Sequence, residues 1–355
     1  MARPADILGQ QGKSLSMPKK RMNIATSCND RYARLVFVNL LNIHEILCQT
    51  YDVHFYLMQS EISEPTLAAL TDFADGLDLT FYNVHVTERA MFESMSRYAR
   101  APDIERFFDA ACHLFLPKDI DRVLYVDTGD VLFLSDDYGF YFRDFKDKSL
   151  LVTTYWRLPE DPLDFDQFQH LGGGFNSGHI LINLERLRAR GLRPQHYANY
   201  VERWAAHIPG KEVLYVGDQG FLTAFFAGEI GKIKKKNRYN VKVVDLNGQT
   251  PDMNPKSIHL NAMFGNIKPW QVPFTSPQDL DRLELAVETI NPKTQTPQRY
   301  FTGYENSCIL TWWDFCARTP VYEELKRKSL RDMTLLRLMS QRISTQASAL
   351  RDLIT

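Results

Sequence analysis

Apolar positions along this chain alternate between two periods, and the alternation predicts an α/β fold. Residues 22–25, 53–58 and 78–84 are short runs rich in β-branched and aromatic side chains, which read as strands. Between them, Leu35, Val38, Leu41 and Ile46 recur at helical spacing within 32–48, and 66–73 also reads as a helix. A further helix over 103–116 is stopped by Pro117 and leads into the apolar run Val123-Leu124-Tyr125-Val126. This β-α-β-α-β order predicts a doubly wound sheet. Strands and helices continue to about residue 275, and 276–300, rich in Pro, Gln and Thr, reads as a linker or wrapping loop. The expected organisation is a polar, disordered lead over 1–21, one domain over 22–275, and a linker with a C-terminal helical extension over 276–355.

Within the pattern, Asp127-Thr128-Gly129-Asp130 interrupts two apolar runs, 123–126 and 131–133. A buried unpaired carboxylate is expensive, and two side by side repel. A cation between them removes both problems, which suggests a divalent-metal site at the carboxyl end of a central strand, where open α/β sheets bind ligands. The alternative is a polar hairpin turn in which Gly129 supplies a positive φ. Two glycine-containing segments follow. Gly172-Gly173-Gly174-Phe175-Asn176-Ser177-Gly178 lacks the Lys-Ser/Thr of a P-loop and reads as a hinge or as a close approach to a ligand. Gly217-Asp218-Gln219-Gly220 opens an apolar helix that Asp218 could simply cap. His259 ends a strand and Lys268 follows it; a histidine suits Mn²⁺-type sites that also use carboxylates, and a lysine binds phosphate as a point charge.

Composition adds exclusions. The net charge of −1 gives no global reason to expect nucleic-acid binding, and the basic run over 232–236 has only Tyr239 beside it to stack a base. Five cysteines without a C-x-x-C spacing exclude a zinc ribbon and a disulfide framework and suit a reducing compartment. No run approaches the roughly 18 apolar residues of a membrane span, and the first 21 residues contain no apolar signal segment. A cytoplasmic protein is expected, either free or associated with a membrane surface. From Tyr322 onward, Met333, Leu336, Ile343, Ala347, Leu350 and Ile354 follow 3–4 spacing, and seven basic residues face four acidic ones. Such a helix lies on an anionic membrane, pairs with a partner or second copy, or docks on its own domain.

Taken in order, these segments resemble the family-8 glycosyltransferases, retaining nucleotide-sugar enzymes with the A-type fold, a single Rossmann-like mixed sheet. The resemblance spans about residues 22–270. Tyr125-Val126-Asp127-Thr128-Gly129-Asp130 is similar to the family's Asp-x-Asp motif. Phe175-Asn176-Ser177-Gly178 with Gly217-Asp218-Gln219-Gly220 is similar to the glycogenin and glucoside xylosyltransferase branches, as is 110–117 to the latter. His259, Gly265, Lys268, Pro269 and Trp270 resemble the family's His-x-x-Gly-x-x-Lys-Pro-Trp element. Two departures stand out. Thr128 and Gly129 both intervene between the aspartates, where the family has one residue, so a glycine bulge must absorb the other. His259 and Gly265 are six apart rather than three, so the loop 260–264 must bulge too.

The resemblance implies that Asp127, Asp130 and His259 hold Mn²⁺, which grips the diphosphate of a UDP-sugar with help from Lys268 and Gly265. It implies that the loop from Thr26 through Ser27 and Asn29 to Tyr32 binds uridine. It implies that Asn176, Ser177, Asp218 and Gln219 surround the donor sugar, with Gln219 at its β face. An amide is a poor nucleophile, so front-face displacement is expected rather than a covalent glycosyl-enzyme. The acceptor would be a hydroxyl of a glycan, a glycolipid or a protein-linked sugar. The rivals are a non-catalytic nucleotide-sugar-binding or scaffold protein and a metal-dependent phosphodiesterase. The latter needs a second metal about 3.5–4 Å from the first. Every candidate catalytic residue precedes Trp270, so deletion from about 322 is expected to spare hydrolysis of a UDP-sugar.

Overall fold

The computed structural model describes residues 18–97, 103–155, 158, 174–207, 217–234, 238–242, 254–260, 268–271, 289–290, 297–298 and 303–331. Gly265, the bulge expected over 260–264 beyond Leu260, and the tail seam from Met333 onward lie outside the described residues. The chain runs β1 (Lys20–Ser27), α1 (Asp30–Ala33), α2 (Val36–Ile46), β2 (Tyr51–Gln59), α3 (Glu64–Asp75), β3 (Thr80–His85), α4 (Arg89–Ser96), α5 (Phe108–Phe115) and β4 (Arg122–Val126). It continues through β5 (Val131–Phe133), β6 (Leu150–Val152), β7 (His179–Asn183), α6 (Leu184–Ala189), α7 (Pro194–His207), α8 (Asp218–Phe225), β8 (Ile230–Lys232), β9 (Val241–Lys242), β10 (Ser257–His259) and α9 (Gly303–Ala317). Residues 322–331 form a last helix, α10.

Seven strands make one mixed sheet in the order β3-β2-β1-β4-β7-β6-β8. The first four are parallel, β7 is antiparallel to both β4 and β6, and β8 is parallel to β6. Both faces are covered, so the strands read as nearly continuous apolar runs rather than alternating ones. Ile24, Phe55, Leu124 and Val126 pack on one side with residues of α2, α3 and α9. Ala25, Tyr56, Val123 and Tyr125 pack on the other with residues of α4 to α8. This split follows from the two-residue period of a strand.

Strand order reverses between β1 and β4, and their carboxyl ends open the crevice in which such sheets bind ligands. There the chain changes sheets. β4 stays in the main sheet, whereas β5 pairs antiparallel with β10 in a second sheet of order β5-β10-β9. The hairpin alternative for 123–133 is thereby excluded, because β4 and β5 do not pair. Behind this crossing, Arg188 of α6 clamps the α5–β4 connection. Its guanidinium donates to the carbonyls of His113, Leu116, Pro117, Lys118 and Ile120 at 2.7–3.4 Å. These include the carbonyls at the end of α5 that no helical N–H can reach.

The C-terminal helices join the core rather than trailing from it. Ile309, Trp312, Trp313, Cys316, Val321 and Leu325 are buried in the cluster that also holds Val36 and Leu40 of α2. Arg34 pairs with Glu324 at 2.6 Å. For 322–331, docking on the domain is therefore the arrangement found. Among the described residues, no helix is long and apolar enough to cross a membrane.

Candidate active site

Register brings the two carboxylates and the histidine together. Val126 sits opposite His179 and the Asp127 N–H donates to Gly178 O at 3.0 Å, which fixes Asp127 at the mouth of the main sheet. His259 sits opposite Val131, and the Leu260 N–H donates to Asp130 O at 2.7 Å, which fixes Asp130 against β10. One ligand atom from each of Asp127, Asp130 and His259 lies within 4.8 Å of the others. His259 Nε2 is 3.3 Å from Asp127 Oδ2 and 3.4 Å from Asp130 Oδ2, and Lys268 Nζ reaches Asp130 Oδ2 at 2.5 Å. The extra residue in the aspartate motif is absorbed in the turn between two sheets, not by a bulge within one strand. Gly129 takes φ +86° there, and a Cβ would stand 2.6 Å from Leu35 Cβ.

The protonation of His259 follows from its neighbours. Asn176 Oδ1 accepts from the Gly178 N–H at 3.2 Å and from Asn240 Nδ2 at 2.9 Å, which identifies it as the oxygen. It also lies 2.8 Å from His259 Nδ1, so Nδ1 carries the proton. In the neutral ring Nε2 then turns a lone pair toward two carboxylates. His259 Nε2 and Asp130 Oδ1 are both buried without a hydrogen-bond partner among the described residues. A proton on Nε2 or a cation beside it would satisfy the lone pair that faces the carboxylates. Burial disfavours the His259 imidazolium, but Asp130 and Asp127 outweigh it and raise its pKa above the ordinary 6.5. Burial likewise works against the Asp130 carboxylate, but Lys268 and His259 hold its pKa well below the usual range.

Near Asp127 lies a second group of charges. Burial, with the Asp127 charge adding to it, pushes Asp218 up to about 6, against a hydrogen bond from Ser177 and the charge of Arg106. Burial and then Asp218 push Asp109 of α5 well above the carboxylate range. Asp109 Oδ2 and Arg106 Nε are buried without hydrogen-bond partners among the described residues. Gln219 is half-buried on the first turn of α8. That turn is tied to the glycine segment, because Thr223 Oγ1 donates to Gln219 O at 2.8 Å and accepts from the Gly174 N–H at 3.0 Å. A cavity of about 200 Å³ is lined by Ser27, Asn29, Tyr32, Arg106, Asp127, Asp130, Lys268 and Trp270, among others. Thr26 is not in that lining. Its hydroxyl is buried between Val126 O at 2.8 Å and Thr128 Oγ1 at 2.7 Å.

The profile of glycosyl transferase family 8 matches residues 23–272, most of the chain. The chain belongs to that family. Among curated family relatives, glycosyltransferase GlyF of Streptococcus pneumoniae serotype 4 (strain ATCC BAA-334 / TIGR4) is 24% identical over 261 residues, 69% of this chain and 59% of GlyF. Xyloside xylosyltransferase 1 of Mus musculus is 26% identical over 227 residues, 54% of this chain and 56% of that protein. The chain thus spans less than two thirds of either relative. The galactosyltransferase LgtC, solved with donor and acceptor sugar analogues, superposes with a TM-score of 0.52 at 20% identity, covering 77% of this chain and 98% of LgtC. The bifunctional glycosyltransferase WbbM superposes with a TM-score of 0.52 at 13% identity, covering 88% of this chain and 52% of WbbM. The fold is the A-type glycosyltransferase fold.

On this family-8 frame, the residues singled out from sequence fall into three places. Asp127, Asp130, His259 and Lys268 meet at the sheet crossing, with Asn176 behind the imidazole. Ser27, Asn29 and Tyr32 line the adjoining cavity; Asp218, Gln219 and Ser177 are not in that lining, although Asp218 stands near Asp127 and Arg106, with Ser177 hydrogen-bonded to it. Sequence reasoning missed Arg106, Asp109 and Asn240, which carry no spacing signature. It also missed Trp312 and Trp313, although a tryptophan doublet in a chain with five tryptophans is itself a signal.

Proposed function

We propose that this family-8 protein is a retaining glycosyltransferase that moves a hexose or pentose from a UDP-sugar to an acceptor hydroxyl with Mn²⁺ bound. The observation that carries the reading is the buried Nε2 of His259, whose other nitrogen is committed to Asn176, facing two carboxylates. A mixed carboxylate–imidazole donor set suits Mn²⁺ better than Mg²⁺. Asp127, Asp130 and His259 would hold the ion, which supplies charge neutralisation for a departing diphosphate. Lys268 adds a second positive charge at the same place. Ser27, Asn29 and Tyr32 enclose uridine, with Thr26 supporting the loop from behind, and Gly265 belongs to the same donor-binding set. Asp218 accepts from sugar hydroxyls, Ser177 holds Asp218, and the Gln219 amide lies against the developing cation without attacking it.

The acceptor is a glycan, glycolipid or protein-linked sugar. The test is a thermal-shift screen of UDP-sugars with and without Mn²⁺, followed by product release from the best donor. Metal-dependent stabilisation with slow release of free sugar is the expected result. Stabilisation without any turnover would instead fit a nucleotide-sugar-binding protein, and full turnover in excess chelator would overturn the metal assignment.

A further inference from the structure

Helix α9 reaches back to the site with two adjacent indoles. Trp312, fully buried, donates its Nε1–H to Gly129 O at 2.5 Å, and Trp313 donates its Nε1–H to Pro269 O at 3.1 Å. Gly129 is one of the two residues between the aspartates, where the family has one, and Pro269 follows Lys268. The two rings pack at 5.1 Å and 83°, and Trp312 also meets Trp270 at 6.0 Å. The preceding peptide unit is held as well, because the Gly129 N–H donates to Asn39 Oδ1 of α2 at 2.7 Å. With the peptide units on both sides of its Cα restrained, Gly129 cannot change φ or ψ freely without stranding a buried polar group, so the direction in which Asp130 leaves the turn is fixed.

We propose that Trp312 and Trp313 are positioning residues of the active site: Trp312 sets the metal loop, Trp313 sets the lysine segment, and their shared helix fixes the distance between Asp130 and Lys268. The device accounts for how a motif with one residue too many still brings Asp130 within reach of Asp127 and His259. It rests on the metal and donor assignments above and adds to them a part of the chain beyond the family match, which ends at 272. Neither tryptophan touches the reacting atoms, and each acts through one backbone carbonyl.

The test uses the full chain, Mn²⁺ alone as the first probe and UDP with Mn²⁺ as the second. Trp312→Phe keeps an aromatic ring and removes the N–H. Trp313→Phe does the same at the other carbonyl. Leu70→Ala, buried in α3 away from the site, serves as a control for stability loss alone. Binding is read by water-proton relaxation and calorimetry at a temperature where every variant remains folded by circular dichroism. Losing one aligned hydrogen bond predicts Mn²⁺ binding roughly 3- to 10-fold weaker in Trp312→Phe. Trp313→Phe should bind Mn²⁺ as the wild type does but UDP several-fold more weakly, and Leu70→Ala should change neither. Wild-type Mn²⁺ affinity in Trp312→Phe overturns the proposal, as does equal weakening in Leu70→Ala. If Trp312→Phe does not fold, the Trp313→Phe split decides: unchanged UDP binding overturns the proposal. A wild-type protein that binds no Mn²⁺ removes the metal reading itself, a different result from all of these.

Discussion

Asn176 Oδ1 receives three donors, so its removal strands three buried groups: His259 Nδ1, Asn240 Nδ2 and the Gly178 N–H. Asn176→Ala should lower stability by about 1–3 kcal/mol and weaken Mn²⁺ binding about 10- to 100-fold, as loss of an orienting partner does. Chemical denaturation and a metal titration measure the two separately. The same imidazole sets a pH dependence. Its pKa in the metal-free fold is raised above 6.5, so the proton between the carboxylates contributes stability below that pH and is lost as pH rises through the folded value. A metal ion must displace that proton. Apparent Mn²⁺ affinity should therefore strengthen from pH 5.5 to 7.5, with proton release visible as a buffer-dependent heat of binding; a flat profile would count against Nε2 as a ligand. Asp127, Asp130, His259 and Lys268 were legible in sequence because each sits beside apolar runs or glycines that mark a turn. Asp109 was not, because a single aspartate inside a helix looks like any solvated one until the fold buries it.

Among the elements, the turn between β4 and β5 decides the site. Gly178, just before β7, lies so close to it that a Cβ there would overlap His259 Cε1 and stand 2.5 Å from Asp127 Oδ2. Gly178→Ala should abolish metal binding while the secondary structure remains, as a paired titration and circular dichroism spectrum would show. Gly129→Ala should be less selective. It adds about 1–3 kcal/mol of backbone strain at a positive φ together with the contact to Leu35, so it should lower both the melting temperature and Mn²⁺ affinity. The strands themselves were legible because burial on two faces writes uninterrupted apolar runs into the sequence. The departure of β5 from the main sheet was not. Val131-Leu132-Phe133 carries no mark of which sheet it joins; Asn42, far earlier in the chain, fixes it by exchanging hydrogen bonds with the Phe133 N–H at 2.7 Å and O at 3.0 Å.

At the scale of the molecule, the structure changes the expectation that everything from 322 onward is dispensable for hydrolysis. Leu325 is 4% exposed and Ser329 is fully buried, so removing 322–355 takes part of the main core with it. That truncation should lower the melting temperature and reduce UDP-sugar hydrolysis. Thermal melts and a donor-hydrolysis assay against the full chain check this; unchanged values would contradict it. The extension was read as an appendage because its apolar seam is separated from the domain by a Pro- and Gln-rich stretch, and periodicity does not reveal which surface a helix covers. The indole bond from Trp312 to Gly129 spans 183 positions of sequence. Contacts so distant form late, because a long loop must close first. A chain emerging from the ribosome has made Asp127, Asp130 and His259 well before residue 312 can meet the turn between the aspartates. On the proposed reading, a chain cut short upstream of α9 lacks both indole bonds and should hold Mn²⁺ more weakly than the full chain.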